Sequence, residues 1–310
     1  MSDPAMSSNI RIGISGWRYE PWRGDFYPEG LVQRRELEYA SRTVSSIEIN
    51  GSFYALQTPE RYTSWRDAVP DNFVFSVKAP RYITHVKRLR ELAEPLANFY
   101  ASGPLQLEHK LGAFLWQFPP SFRFDAGLFT ELFEQLPRTF GEAIQCAGRS
   151  PRFAPPEELS TAPETALRHA VEIRHRSFLQ ESFIELLREH RIALVVADTA
   201  GKWPLVEELT ADFMYLRLHG DKELYASGYD DSALDDWARR IRAWAKGEQP
   251  EGARRISEQE DSSCAARDIY CYFDNDIKVR APYDARRLLE KLDRAEGLEV
   301  QPGQLPERFL

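Results

Sequence analysis

Cysteine is scarce in this sequence. The 310 residues include three cysteines, Cys146, Cys264 and Cys271, and no C-x-x-C pair. A sparse and odd set of cysteines argues against a disulfide scaffold and is typical of a reducing compartment. The first residues, MSDPAMSSN, also lack the basic and apolar regions of a secretory signal peptide. We therefore expect a cytoplasmic protein.

Long apolar runs are missing as well. No stretch approaches the roughly 18 apolar residues that a membrane-spanning helix requires, so no membrane partner is predicted. The formal net charge of −8 argues against broad, nonspecific nucleic-acid binding, although a local basic groove remains compatible with it. Hydrophobic residues make up 43% of the chain, which is enough for a large core.

The common catalytic motifs are also absent. The sequence has no P-loop, no G-x-S-x-G, no H-x-H and no H-E-x-x-H, and its six histidines are scattered. No glycine-rich fingerprint follows the first apolar strand, which argues against a dinucleotide-binding fold. No cofactor and no tight metal site are predicted, but a weak Mg²⁺ or Mn²⁺ site remains open. The sequence does not indicate an oligomeric state.

The sequence does contain short apolar strands that alternate with helical patterns. Leu234, Trp237, Ile241 and Trp244, for example, repeat at helical spacing. Eight strand–helix units in a chain of this length predict a parallel eight-stranded (β/α)₈ TIM barrel, formed as one domain over 1–310 with a core at about 10–293. The predicted strands are 10–15, 44–50, 73–78, 113–118, 170–174, 193–198, 213–219 and 269–274.

Two stretches interrupt this alternation. Residues 141–163 are rich in proline, glycine and serine, and we expect a long irregular connection there. Residues 246–268 are polar without an apolar period, and we expect a mobile surface insertion.

Polar residues occupy alternate positions near the strand ends. In SSIEINGSFY, Ile47 and Ile49 have the parity of the helix-facing side, so Glu48 and Asn50 are predicted to point into the barrel. The same reasoning on the other strands predicts a ring of inward polar groups at the carboxyl-terminal mouth, where TIM-barrel active sites lie. The predicted catalytic residues are Glu48, Lys78, Glu172, Asp198, His219 and Asp274, and the predicted substrate-binding residues are Trp17, Asn50, Gln117, Arg174, Arg217 and Tyr272.

Several segments resemble the domain-of-unknown-function 72 family, the YecE-like proteins. They include IRIGISGWRYEPWRGDFYP, LGAFLWQFPPSF, VEIRHRSF, VVADTAG and YCYFDND, spread from near residue 10 to near residue 290. The resemblance implies a TIM-barrel fold and does not imply a reaction.

The predicted ring supports three hypotheses. The first is an enzyme, a hydrolase, lyase or isomerase, that performs acid–base chemistry on a small anionic or sugar-like substrate, with Arg174 and Arg217 binding a phosphate or carboxylate. The second is a metal-dependent phosphodiesterase or nucleic-acid-binding protein like the endonuclease-IV-like barrels, with the basic segment RYITHVKRLR near phosphates; it is not favoured. The third is a non-catalytic ligand-binding barrel.

We also expect that alanine at Arg217 or Glu172 would remove ligand binding and leave the fold cooperative.

Overall fold

The structure is a computed structural model. It describes residues 8–309 except 157, 158, 222, 223, 226, 260–265 and 276. The first seven residues, which belong to the segment inspected for a signal peptide, and Cys264 therefore lie outside the described residues. Cys146 and Cys271 are buried free thiols.

Eight parallel strands form a closed barrel in sequence order, as predicted. Each strand pairs with the next along the chain, and the last strand pairs with the first, for example through Ile12 and Cys271. The strands are β1 Ile10–Ser15, β2 Ser46–Ile49, β3 Val74–Lys78, β4 Leu111–Gln117, β5 Arg168–Glu172, β6 Ala193–Asp198, β7 Phe213–Leu218 and β8 Asp268–Phe273.

Helices cover the outside of the barrel. Several begin at signals that the sequence carries: Asp125 accepts a hydrogen bond from Leu128 N at 3.1 Å, and Pro59 is the first residue of its helix. The helices of the described residues are α1 Glu36–Ala40, α2 Gly51–Tyr54, α3 Pro59–Ala68, α4 Ala93–Ala101, α5 Ala126–Gln135, α6 Phe140–Ala147, α7 Glu181–Glu189, α8 Asp231–Ala245 and α9 Ala281–Lys291. None of the described helices is long and apolar enough to cross a membrane.

The connection predicted at 141–163 is only partly irregular. Helix α6 occupies its first part, and Thr139 caps this helix by accepting a hydrogen bond from Glu142 N at 3.2 Å. Phe140, Ala143 and Ala147 form its buried face. Gly141 near the start and the polar residues that follow the helix conceal this short period in the sequence. Conversely, the described segment 199–212 between β6 and β7 contains no helix, so the strand–helix alternation is incomplete.

Two buried glutamates hold the described part of the insertion at 246–268. Glu207 accepts a hydrogen bond from Arg254 N at 2.9 Å, and Glu208 accepts one from Ser257 N at 2.7 Å. Both glutamates are 1% exposed. The residues before 260 are therefore anchored to the barrel instead of extending from it, and residues 260–265 of this expected mobile segment lie outside the described residues.

The barrel interior combines small and large side chains below the polar mouth. Ala113, Ala170 and Ala193 make room for Tyr215 and Tyr270 in one buried apolar cluster. At Gly13, a Cβ atom would lie 1.7 Å from Ser46 O, so no side chain fits between β1 and β2 there. A separate, larger core lies between the strands and the helices. The interior therefore supports the polar residues at one end of a solid barrel.

Candidate active site

Arg217 lies at the centre of a buried ion-pair network. Because Leu216 and Leu218 face the helices, the guanidinium points into the barrel, and it is fully buried. Its Nε and Nη2 donate to the two carboxylate oxygens of Glu48 at 3.1 and 2.9 Å. Its Nη1 donates to Glu172 Oε2 at 2.7 Å. The planar guanidinium thus joins β7 to β2 and β5 across the barrel.

Glu48 is fully satisfied by protein donors. Besides the two bonds from Arg217, it accepts hydrogen bonds from Ser15 Oγ at 2.7 Å and Tyr215 Oη at 2.6 Å. A buried carboxylate without such donors would cost several kcal/mol. Glu48 in the otherwise apolar strand β2 therefore belongs to the ion-pair network inside the barrel, whereas Ile47 and Ile49 pack in the outer core.

Glu172 is held in its ionised form. Its Oε1 accepts from Gln117 Nε2 at 2.9 Å and Arg174 Nε at 2.7 Å, and its Oε2 accepts from Arg217. Burial by itself raises the pKa of Glu172, but the charges of Arg174 and Arg217 hold that pKa well below its usual range. At neutral pH this carboxylate is an acceptor and does not exchange protons.

Asp274 and His219 complete the network just beyond the ends of β8 and β7. Asp274 Oδ2 accepts from Arg217 Nη2 at 2.8 Å. His219 Nδ1 lies 3.0 Å from the same oxygen but is not aligned for a hydrogen bond, and the ring is fully buried. Burial raises the pKa of Asp274, whereas Arg217 and His219 lower it more strongly, to about 2. Asp274 is therefore also an anion at neutral pH.

Lys78 differs from the other charged residues of the mouth. Its Nζ lies 4.3 Å from the centroid of the Phe53 ring, and it forms no hydrogen bond or ion pair with a described residue. Lys78 is 7% exposed, at the end of β3. Burial lowers the pKa of Lys78 to about 8, and the positive charge of Arg217 contributes to this, against the opposing effect of Glu48 and Glu172. Lys78 can therefore lose or gain a proton near neutral pH.

Arg174 reaches the mouth beside this network. Its guanidinium carbon lies 3.8 Å from the centroid of the Trp203 ring, while its Nε binds Glu172. The two terminal nitrogens form no hydrogen bond within the described part of the chain, and the side chain is 13% exposed. Trp203 was not predicted as a site residue because it lies in the irregular segment 199–212, where no strand parity applies.

His85 is a second neighbour that strand parity does not identify. Its ring packs edge-on against Phe53 at 5.2 Å, and its Nδ1 shares a hydrogen bond with Thr84 Oγ1 at 2.8 Å. Burial lowers the pKa of His85 to about 4, and the charges of Lys78 and Arg81 act in the same direction. The sequence signal for His85 is its place in the basic segment RYITHVKRLR, directly after β3.

The rest of that basic segment is partly engaged with protein groups. A π-helical turn spans Tyr82–Val86, and Lys87 at its end pairs with Glu91. Arg88 donates to Ser121 O at 3.1 Å and lies 4.7 Å from the centroid of the Phe122 ring. These contacts reduce the number of cations available for a phosphate backbone.

Two predicted residues have roles that the sequence did not suggest. Tyr272 points inward, but its hydroxyl is bonded to Ser46 Oγ and Ser76 Oγ, each at 2.8 Å, and is fully buried. Asp198 has the opposite parity from Ala197, which faces the interior, so its carboxylate points outward and accepts from Tyr229 Oη at 2.9 Å. Neither side chain joins the Arg217 network.

Trp17 and Asn50 also lie apart from the network. Trp17 is 7% exposed and packs edge-on against Trp65 at 5.2 Å, within the outer core. Asn50 occupies the N-cap position of helix α2, and its Oδ1 is buried without a hydrogen-bond partner. Both line a small cavity of about 270 Å³ beside α2 and α3. That cavity contains no member of the network.

A metal ion finds few ligands in this arrangement. Within the described ranges, no group of three or more His, Cys, Asp and Glu side chains is arranged to hold one. Glu48, Glu172 and Asp274 all direct oxygens at Arg217, whose positive charge would repel a metal ion. The weak Mg²⁺ or Mn²⁺ site stays a prediction.

Comparison with known proteins identifies the family. The family described as "Protein of unknown function DUF72" matches residues 11–308. The chain belongs to this family. The DUF72 chain is 25% identical over 244 residues to the UPF0759 protein YecE of Escherichia coli K12, a match that covers 78% of this chain and 84% of YecE. It is 31% identical over 121 residues to the UPF0759 protein YunF of Bacillus subtilis, covering 36% and 41% of the two chains.

Solved structures of the same family share the barrel. A DUF72 family protein from Thermotoga maritima is similar with a TM-score of 0.68 and 25% identity, over 92% of this chain and 99% of that chain. A DUF72 family protein from Enterococcus faecalis is similar with a TM-score of 0.65 and 18% identity, over 92% and 95% of the two chains. These likenesses agree with the barrel architecture and do not assign a reaction.

Proposed function

We propose that this DUF72 protein is an enzyme that performs acid–base chemistry on a small phosphorylated or carboxylated substrate at the carboxyl-terminal mouth of the barrel. The proposal is carried by the surroundings of Lys78 and by its lowered pKa. An amine with a pKa near 8, without a carboxylate partner among the described residues, is unusual among lysines and suits a group that accepts and returns a proton. Lys78 is the proposed catalytic base.

Arg174 would bind the anionic group of the substrate. Arg174 has terminal nitrogens without a hydrogen-bond partner in the described chain, and Trp203 holds its guanidinium in place at 3.8 Å. A guanidinium can bind two oxygens of a phosphate or carboxylate at once. The substrate anion would therefore be bound by Arg174, with Arg81 and Arg88 adding positive potential nearby, and Lys78 would remain available as the base.

The buried network would act indirectly. Arg217 has its donors directed at Glu48, Glu172, Asp274 and Ser15, so it is a positioning residue here and not the second anion clamp expected from the sequence. Glu172 and Asp274 have lowered pKa values and cannot donate a proton at neutral pH, which argues against a glycosidase that needs a carboxylic acid.

Proton exchange with solvent tests this proposal across several candidate substrates at once. Phosphorylated sugars and 2-hydroxy and 2-oxo acids are incubated with the protein in D₂O, and deuterium incorporation is followed by ¹H NMR. We expect incorporation into at least one compound, reduced about 100-fold or more by Lys78→Met. Lys291→Met, which alters an ion-paired lysine of α9 away from the mouth, is the control and should retain activity.

Anion binding is measured on the same proteins by calorimetry with inorganic phosphate. Arg174→Gln should weaken phosphate binding, and the control Lys291→Met should not. Binding without any turnover would contradict the proposed catalysis and favour the non-catalytic ligand-binding barrel. Absence of both binding and turnover would overturn the proposed function altogether.

A further inference from the structure

A groove of about 920 Å³ opens beside the mouth. It lies between the segment after β2 and the segment after β3, and its walls include Phe53, Tyr54, Tyr82, Val86, Pro95 and Phe153. Small-molecule sites have volumes of about 300–1,000 Å³ and mostly apolar walls. The groove is therefore large enough for a substantial part of an organic ligand.

Exposed apolar side chains are concentrated in this groove. The large hydrophobic residues exposed within the described part of the chain are Val32, Tyr54, Tyr82, Val86, Leu179 and Ile277. Three of them, Tyr54 at 74%, Tyr82 at 49% and Val86 at 59% exposure, line the groove. Single exposed apolar residues are ordinary, but a cluster in a concave surface marks a binding site, because a ligand there removes the cluster from water.

Phe53 joins the groove to the proposed catalytic base. One face of its ring lies 4.3 Å from Lys78 Nζ, and the same side chain lines the groove. Pro80 and Arg81, which closely follow Lys78 in the chain, also line it. One end of the groove therefore lies next to the residues that surround Lys78.

The charges around the groove are mixed. Arg81, Lys87 and Arg152 are balanced in part by Glu91 and Glu94, and Lys87 is already paired with Glu91. A polyanion would meet like charges here as well as opposite ones. An uncharged chain or ring meets no such conflict and covers Tyr82 and Val86.

We infer that the groove binds the apolar part of the substrate, so that the substrate class is an amphiphilic anion: a phosphate or carboxylate that carries an aliphatic or aromatic group. This inference rests on the proposed function, because the anionic group would be bound by Arg174 with its reacting part beside Lys78. The π-helical turn of Tyr82–Val86, closed by a hydrogen bond from Lys87 N to Tyr82 O at 2.8 Å, builds one wall of the apolar subsite.

Calorimetric titration with a series of phosphates tests the inference. Inorganic phosphate, methyl, butyl, hexyl and phenyl phosphate are compared at pH 7 and low ionic strength. Each methylene that enters the groove should lower the Kd about fourfold, the ratio expected for its removal from water. Hexanol and phenol, which lack the anion, should bind far more weakly than the corresponding phosphates.

Variants of the groove distinguish the binding of the apolar group from the binding of the anion. The double variant Tyr82→Ser, Val86→Ser should lose the dependence of Kd on tail length and keep the wild-type Kd for inorganic phosphate. Val32→Ser, an exposed valine away from the groove, is the matched control and should change neither quantity. Arg174→Gln should weaken the binding of every phosphate of the series by a similar factor.

Failure of the groove inference can be distinguished from failure of the proposed function. Wild-type binding of inorganic phosphate with no dependence on tail length would overturn the groove inference and leave the proposed function in place. No binding of any phosphate would overturn both. Equal loss of inorganic phosphate and hexyl phosphate in the groove double variant would also contradict a separate apolar subsite.

Discussion

Glu48 and Arg217 meet across the barrel through two hydrogen bonds, at 3.1 and 2.9 Å, and both side chains are 0% exposed. The same guanidinium also forms ion pairs with Glu172 and Asp274. One positive charge therefore supports three carboxylates from β2, β5 and the end of β8. We therefore expect the stability of this end of the barrel to depend on Arg217.

Replacing Arg217 by Met should destabilise the protein strongly. The substitution keeps much of the side-chain volume but removes the guanidinium partner of Glu48 and Asp274 and leaves Glu172 with Arg174 alone. Breaking a buried ion pair in this way costs about 3–5 kcal/mol. This differs from the sequence-based expectation that the residue can be lost while the fold stays cooperative. Urea denaturation at pH 7 measures the free energy of unfolding. Arg239→Met, an exposed arginine of α8, should cost about 1 kcal/mol or less, and an equally small loss for Arg217→Met would contradict the network's role.

Lys78→Met should stabilise the protein at pH 7. The pKa of Lys78 is about 8 in the folded protein and near 10.5 without burial, so the unfolded chain binds more protons between these values, and the free energy of unfolding rises with pH there. Below pH 8 the folded protein carries the full cost of the buried ammonium, roughly 3 kcal/mol, which the variant avoids. The advantage of the variant should narrow as the pH rises from about 8 to 10.5. A pH-independent difference between the two urea curves would show that Lys78 does not titrate as described.

Asp274→Asn should remove an acid-sensitive contribution to stability. The pKa of Asp274 is lowered to about 2, so its ionised form stabilises the folded state above the unfolded pKa near 4, and this contribution is lost as the pH falls from about 4 to 2. We expect the wild type to exceed the variant by about 2 kcal/mol at pH 7 and to match it near pH 2. Unfolding at a series of pH values tests this. Asp71→Asn, at a fully solvent-exposed carboxylate, should show no comparable dependence.

Trp203→Leu should weaken anion binding about fivefold. Trp203 holds the Arg174 guanidinium through a cation–π contact worth about 1 kcal/mol, and leucine offers no π face. Calorimetry with inorganic phosphate measures the change in Kd. Trp203→Phe should retain most of the affinity because phenylalanine keeps an aromatic face. If leucine and phenylalanine weakened binding equally, the ring would act through packing alone.

Strand parity predicts much of the network. Glu48, Glu172 and Arg217 each alternate with apolar residues that face the outer core, and the closed barrel brings them together. Hydrogen-bond saturation is not visible in a sequence. Nothing in the sequence shows that Arg217 has its donors directed at protein acceptors, or that Lys78 has no carboxylate partner among the described residues.

The residues whose positions the sequence did not predict lie where the apolar residues follow no regular helix or strand period. Trp203 and His85 lie on irregular or π-helical segments, so no alternation places them at the mouth. Asp198 ends an almost wholly apolar strand, and only the register of β6 decides which way it points. Helix α6 was missed because its apolar face is short and the flanking residues favour loops.

Tyr272 reaches from β8 to Ser46 on β2 and Ser76 on β3, neither of which neighbours β8 in the sheet. This bridge lies below the ion pairs and joins residues that are 226 positions apart in the chain. The contact cannot form until the last strand has closed the barrel. The hydrogen bonds of Tyr272 therefore belong to the final stage of barrel assembly, because contacts between distant parts of a chain form only after the intervening segments are in place.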